Sequence, residues 1–313
     1  MGPRSSLLAV TVVMGLGRAL HADPAVLAAH LWGPHTLALD RDSVYFTTIG
    51  GGEVVAIAKR GGAPRILARD QTSPAELAVD ADFVYWVSHG AAGGVSRVAK
   101  RGGKPDRLVD AANPYGLVSD GERLYYVAGD ALYAVSKRGG AAVTLARGID
   151  AGRPVIDDQR VYWVDLGRRA VMAVPRAGGE PRAVFDVKDG MSVAPLADLV
   201  VADGFGYLST EKGLVRFDLG SGASGIIVSD FVEQIVVAGD RLFVSIGASS
   251  KMGPGGVTFE SDGSLRVMPK AGGAPATLLE RLNVRDLAVD MEAVYLLDGI
   301  GKNGRLLRLP RPR

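Results

Sequence analysis

Seven times along this 313-residue chain, a short apolar segment is followed at a fixed distance by an aromatic residue. The first four copies are Leu37-Ala-Leu-Asp40 with Tyr45, Leu77-Ala-Val-Asp80 with Tyr85, Leu117-Val-Ser-Asp120 with Tyr125 and Pro154-Val-Ile-Asp157 with Tyr162. The rest are Leu199-Val-Val-Ala202 with Tyr207, Ile235-Val-Val-Ala238 with Phe243 and Leu287-Ala-Val-Asp290 with Tyr295. Successive copies lie 40, 40, 37, 45, 36 and 52 residues apart. A unit of about 40 residues holding several strands cannot bury both faces of its own sheet, so neighbouring units must do it. That requirement selects an all-β fold: a seven-bladed β-propeller of four-stranded antiparallel blades. Blades are expected to start near residues 37, 77, 117, 154, 199, 235 and 287.

Within the second copy, Leu77 to Val79 reads as a first strand and Val84-Tyr-Trp-Val87 as a second. Val95 to Ala99 is a third and Arg107-Leu-Val109 an outer fourth. The second strands are apolar on both sides, which fits a sheet sandwiched between two others. A hairpin turn recurs between third and fourth strands: Lys59-Arg-Gly-Gly62, Lys100-Arg-Gly-Gly103, Lys137-Arg-Gly-Gly140, Arg176-Ala-Gly-Gly179 and Lys270-Ala-Gly-Gly273. Gly-Gly supplies the positive φ angles that such turns need.

The seventh copy ends after its third strand, Leu306 to Leu309. The missing strand is found at the other terminus. Pro24-Ala-Val-Leu-Ala28 matches Pro64-Arg-Ile-Leu-Ala68 at an offset of 40, so residues 24–31 are expected to close the last blade. Closure removes an open seam with exposed sheet edges. Upstream, Arg4 and the uncharged run Leu7 to Gly17 resemble a secretory signal, too short to span a bilayer as a helix. Residues 1–22 are therefore read as a signal peptide cleaved after Ala22, and 23–313 as one propeller domain, periplasmic or extracellular. There is no cysteine, which excludes disulfides, thiolate metal sites, cysteine nucleophiles and a lipidated cysteine anchor.

Val161-Tyr-Trp-Val-Asp165, followed by Leu-Gly-Arg-Arg-Ala-Val-Met, resembles a repeat of the YWTD propellers found in lipoprotein-receptor-type proteins. The pattern is also similar to exported bacterial propellers of the NHL and TolB-like kind. Only Asp165 and Asp298 keep the motif's Asp, and no copy keeps its Thr.

Propeller topology sends the loops between strands one and two, and three and four, to one face. The loops between strands two and three, and the links between blades, go to the other. The first set is uniform here. Asp40, Asp80, Asp120, Asp157 and Asp290 read as Asx-type turns, and the basic turns as solvated hairpin tips. The second set is variable, and a site is expected there, at the mouth of the central channel. Its candidates are Trp32, His35, Glu76, His89, Tyr115, Arg153, Met191, Glu233, Gln234, Arg285 and Asp286. An insertion from Gly247 to Ser264 lies on the same face and brings Lys251, Glu260 and Asp262.

No serine elbow, His-Glu-x-x-His helix or phosphate loop is present. Net charge is +2 and no aromatics interleave with the basic turns, so nucleic acid is not an expected partner. The function read from these features is an exported, monomeric, non-catalytic propeller. It would recognise a protein or glycan through the channel-mouth face and need no cofactor. The alternative is a metal-dependent hydrolase or lyase of the propeller lactonase type. Its hard cation, Ca²⁺ or Mg²⁺, would be held by Glu76, Glu233 and Asp286.

Overall fold

The seven apolar segments each become the innermost strand of a four-stranded antiparallel sheet. The computed structural model describes residues 23–187, 197–247, 250–253, 256–259 and 262–312, and among these there is no helix. The segment read as an export signal, Met191 and Glu260 lie outside the described residues. Blade 1 comprises Pro34–Leu39, Ser43–Thr48, Glu53–Ala58 and Arg65–Ala68, paired in that order from the axis outwards. Five further blades repeat this order. Blade 7 is built from both termini: Val284–Val289, Ala293–Asp298 and Gly304–Pro310 are completed by Ala25–Leu31. That outer strand runs antiparallel to its neighbour, with Val26 opposite Leu307 and Leu31 opposite Gly304.

The core is divided into seven clusters, one at each seam between blades. Alternation along the second strand explains this. Val44 and Phe46 pack against blade 7, while Tyr45 faces blade 2. The repeat's aromatic residue faces the following blade in every copy, from Tyr45 to Tyr295.

Those tyrosines also tie the uniform face together. Asp40 accepts the N–H groups of Asp42 (2.9 Å) and Ser43 (2.7 Å) and the Tyr45 hydroxyl (2.8 Å). Asp80, Asp120 and Asp157 repeat the pattern, so the Asx turns are as expected. The basic turns depart from expectation: their first residues are not solvated. Lys100 reaches back to Asp40 of the preceding blade at 2.6 Å, Lys137 to Asp80 at 3.2 Å, and Lys59 to Asp290 at 2.7 Å. Arg176 pairs with Asp120 in the same way. Three of the lysines also lie over the tyrosine rings of those seams, 5.0–5.6 Å from the centroids. The aspartate is thus a lock across the seam as well as a turn former. Blade 5 has Asp218-Leu-Gly-Ser221 in place of the basic turn, and Asp218 bonds only its own turn, through the N–H groups of Gly220 and Ser221 and the Ser221 hydroxyl.

The insertion in blade 6 forms a small hairpin, Ser250–Gly253 with Gly256–Phe259. Gly263 and Ser264, read from sequence as loop, instead begin the third strand, Gly263–Pro269. Pairing with Ile246 and Leu282 extends the ladder past the last apolar residue.

Removing residues 23–31 strips blade 7 of its outer strand and uncovers Leu306 and Leu307, both almost fully buried. The truncated chain should melt roughly 10 °C lower, from a loss of several kcal/mol. An unchanged midpoint in a calorimetric scan would contradict the closure.

Candidate functional site at the channel mouth

One position recurs immediately before each innermost apolar segment. It is Thr36, Glu76, Gly116, Arg153, Asp198, Gln234 and Asp286 in the seven blades. In blades 1, 2, 3, 6 and 7 the innermost strand starts before the apolar segment, and its register breaks at that point, as between Pro74 and Leu77. Such a bulge kinks the strand and re-aims its side chains. Here it turns the variable residues toward the axis. His35, Glu76, Tyr115, Glu233, Arg285 and Asp286, expected in links, therefore stand on the bulged starts of strands.

Several of these side chains stitch adjacent blades. The Thr36 hydroxyl donates to the Ala75 carbonyl (2.9 Å) and the Tyr115 hydroxyl to the Ala151 carbonyl (2.8 Å). Asp198 accepts the Ile235 N–H at 2.7 Å, and Asp286 accepts the N–H groups of Leu37 at 2.7 Å and Leu287 at 2.9 Å. Arg153 behaves differently. It passes blade 3 and places its guanidinium 3.2 Å from Glu76 of blade 2. Gly116 lets the start of blade 4 pack closely: at φ +66°, a Cβ there would lie 2.4 Å from the Pro154 ring and 3.1 Å from the Arg153 Cα.

Around Glu76 the polar groups converge. His35 Nε2 lies 3.6 Å from one carboxylate oxygen and His89 Nε2 lies 3.6 Å from the other. The two imidazoles stand edge to face, with centroids 6.4 Å apart. The Glu76 side chain is only 9% exposed and that of His89 37%. His35 Nε2, His89 Nε2 and Glu76 Oε2 are buried and make no hydrogen bond within the protein. At 3.6 Å the imidazoles and the carboxylate are neighbours rather than hydrogen-bonded partners. Buried polar atoms are rarely left in this state, and three gathered at one point make this cluster the candidate site.

The carboxylates divide by surroundings. Burial alone would raise the Glu76 pKa, but the facing imidazoles and Arg153 outweigh it and hold it well below the usual range. Burial pushes Asp198 and Asp286 up to about 6 each, against the pull of backbone N–H groups and Arg153. For Asp286 the charge of Asp198 adds to the rise. Glu233 is also raised by burial, partly offset by Arg285.

Asp198 is not among the sequence candidates, although it occupies the same repeat offset as Glu76 and Asp286. Trp32 is half-exposed at the rim, its ring against Gly50 and beneath Lys302, 5.1 Å from the ring centroid. Lys251 lies on the insertion hairpin, and Asp262 is exposed just before the third strand of blade 6. Among the described residues, no group of three or more His, Asp or Glu is arranged to grip a metal ion. Of the three carboxylates proposed as ligands, Asp286 bonds backbone N–H groups, Glu233 packs against Gly247, and Glu76 faces Arg153 and the imidazoles. No helix among the described residues is long and apolar enough to cross a membrane.

No protein-family model matches the chain, and no curated protein matches it significantly. Solved structures do. Virginiamycin B lyase from Staphylococcus aureus superposes with a TM-score of 0.69 at 13% identity, covering 93% of this chain and 99% of that one. BamB from Moraxella catarrhalis gives 0.59 at 14% identity, covering 90% and 84%. A chain of a nidogen/laminin complex gives 0.50 at 20% identity, covering 62% and 79%. At these identities the likeness shows the propeller fold alone.

Stability should respond to pH in two directions. Asp198 and Asp286 bind protons more readily folded than unfolded, so between their ordinary 3.8 and about 6 they add stability as pH falls. Asp40 and Asp120, lowered to about 2 despite burial by their hydrogen bonds and cations, lose their contribution as pH falls below the ordinary range toward 2. The melting midpoint should therefore rise on the order of 3–5 °C from about pH 7.5 to about pH 5, then fall in stronger acid. Changing Asp198→Asn and Asp286→Asn should flatten the rise and leave the acid fall; a rise that persists in this variant contradicts the assignment.

Proposed function

We propose that this chain is a non-catalytic recognition propeller that takes a polar group of its partner, a protein or a glycan, into the channel mouth. One observation carries the reading. Three buried polar atoms without hydrogen bonds, on His35, Glu76 and His89, meet at the mouth, whereas the repeated charges of the opposite face are paired across seams. The desolvation of the unpaired atoms is repaid when a ligand supplies the missing partners. Export to the periplasm or beyond belongs to the same proposal and is supported by the apolar run Leu7 to Gly17 behind Arg4.

A second reading, a hydrolase or lyase, is favoured by the two imidazoles that flank Glu76, since such groups move protons near neutral pH. Under that reading a cation would be supplied by the solvent and held near Glu76. Chelation followed by added Mg²⁺, Ca²⁺ or Zn²⁺ tests it. A shift in melting midpoint that vanishes in Glu76→Gln favours it, and no shift with any ion removes it.

The recognition reading is tested with a library of short peptides and oligosaccharides, scored by thermal shift. A hit at 100 times its Kd should stabilise the chain by about 2.7 kcal/mol, a rise of several degrees. The doubly changed chain, Glu76→Gln with His89→Ala, should lose most of that rise. Hits that stabilise both chains equally would move the binding surface elsewhere.

A further inference from the structure

Away from the channel, the seams between blades leave furrows on the flank of the ring. Of three cavities among the described residues, two show no one-sided chemistry for an anion. One, of about 480 Å³ at the seam of blades 2 and 3, balances Asp80, Asp82 and Glu122 against Arg97, Lys137 and Arg138. Another, of about 580 Å³, borders the outer strand of blade 2 and is lined by Tyr126 and Tyr133, with Asp110 as its charged side chain. The third, of about 430 Å³, lies one seam further on, between the outer strand of blade 3, Val143–Arg147, and the third strand of blade 4, Ala170–Pro175. It repeats the position of the second cavity: Met172 stands where Tyr133 does, Pro181 where Ala142 does and Arg147 where Asp110 does. The shape therefore belongs to the repeat, and the chemistry belongs to these residues.

That chemistry has two parts. Leu145, Ile149 and Met172 form a buried aliphatic floor, with Pro181 beside them and no aromatic ring in the lining. Arg147 and Arg168 are the charged groups. Arg168 is anchored, because its Nη1 donates to the almost fully buried Asp165 at 2.6 Å and to the Gly148 carbonyl at 3.3 Å. Arg147 donates through Nη2 to Thr144 Oγ1 at 3.2 Å and has no ion pair among the described residues. Each guanidinium has five N–H donors, so both keep donors to spare. With Asp165 set against Arg168, the charge of Arg147 is left over.

We propose that this furrow binds an aliphatic monocarboxylate, its chain over Leu145, Ile149 and Met172 and its carboxylate between Arg147 and Arg168. The volume lies within the range of small-molecule sites, about 300–1,000 Å³. Guanidinium forks match carboxylate geometry, and an aliphatic chain uses a floor that a bare inorganic anion would leave wet. A sugar or a peptide is a poorer match. Thr144 is the uncharged polar side chain of the lining, and it already accepts from Arg147, so further polar groups of a ligand would go unpaired. The furrow borders an outer strand rather than the innermost strands, so the proposal goes beyond the channel-mouth reading and does not rest on it.

The test titrates the whole chain, carrying isotope-labelled methionine methyl groups, with hexanoate at neutral pH. Met172 is followed by nuclear magnetic resonance, its signal identified with Met172→Leu. Hexanoate should shift that signal saturably, with a Kd of about 1–10 mM for so small a ligand. Hexanol keeps the chain without the charge, and acetate keeps the charge without the chain. Each should bind at least about fivefold more weakly. Arg147→Gln keeps a donor for Thr144 and should weaken hexanoate about threefold, with less dependence on salt. Arg147→Glu reverses the charge and should weaken it more than about tenfold. Arg147 is exposed, so both variants should melt with the parent chain.

The proposal is overturned if Met172 shows no saturable shift up to about 100 mM hexanoate. Hexanol or acetate binding as well as hexanoate, or Arg147→Glu binding it as well as the parent, also overturns it. Shifts at other methionines with Met172 unmoved place the acid elsewhere and overturn the site. Binding of anionic phosphatidylglycerol vesicles without binding of hexanoate overturns the free acid as the ligand.

Discussion

Mutual burial of sheet faces holds this molecule together. Each blade is apolar on both sides, as at Val84-Tyr-Trp-Val87, and no blade has a dry face without two neighbours. The seven seam clusters are consequently interdependent, and the ring is complete only when Ala25–Leu31 pairs with Gly304–Pro310. A linear repeat could tolerate a frayed end. A ring transmits the loss of one strand to the seam between blades 7 and 1, where Leu27 and Ala28 pack against the same cluster as Leu37 and Tyr295.

The two faces of the ring treat charge in opposite ways. On the uniform face Asp40, Asp80, Asp120 and Asp157 each accept two backbone N–H groups and a tyrosine hydroxyl, and the first three also face a cation from the next blade. Those hydrogen bonds outweigh burial and lower the aspartate pKa values. At the channel mouth Asp198 and Asp286 have backbone N–H groups but only a distant share of Arg153, and burial dominates. Identical side chains are thus held as stable carboxylates at one end and pushed toward the neutral form at the other.

Several parts of the site were legible because a repeat exposes its own exceptions. His35, Glu76, His89 and Arg153 stood out as chemically active residues on the variable face, and all four meet in space. Asp198 was overlooked although its offset from Leu199 equals that of Asp286 from Leu287. A strict alignment of all seven copies would have found it. The bulged strand starts were not legible, because hydrophobic periodicity ends at Leu77 while backbone pairing continues to Pro74. The lysine locks were also hidden. Lys100 and Asp40 are 60 residues apart, and both belong to turns that are individually well explained without each other.

The sequence by itself determined the number of blades, the closing strand and the Asx turns. These follow from local periodicity and from the requirement that every sheet face be buried, and both are written in the order of residues. Only the tertiary structure decided which variable residues act together. Glu76 and Arg153 belong to different blades, and Gly116 of the blade between them lets the backbone at Arg153 and Pro154 pack closely. Their partnership depends on the curvature of the ring. Distances across a channel are set by how seven sheets pack around an axis, and no local pattern in the chain encodes them.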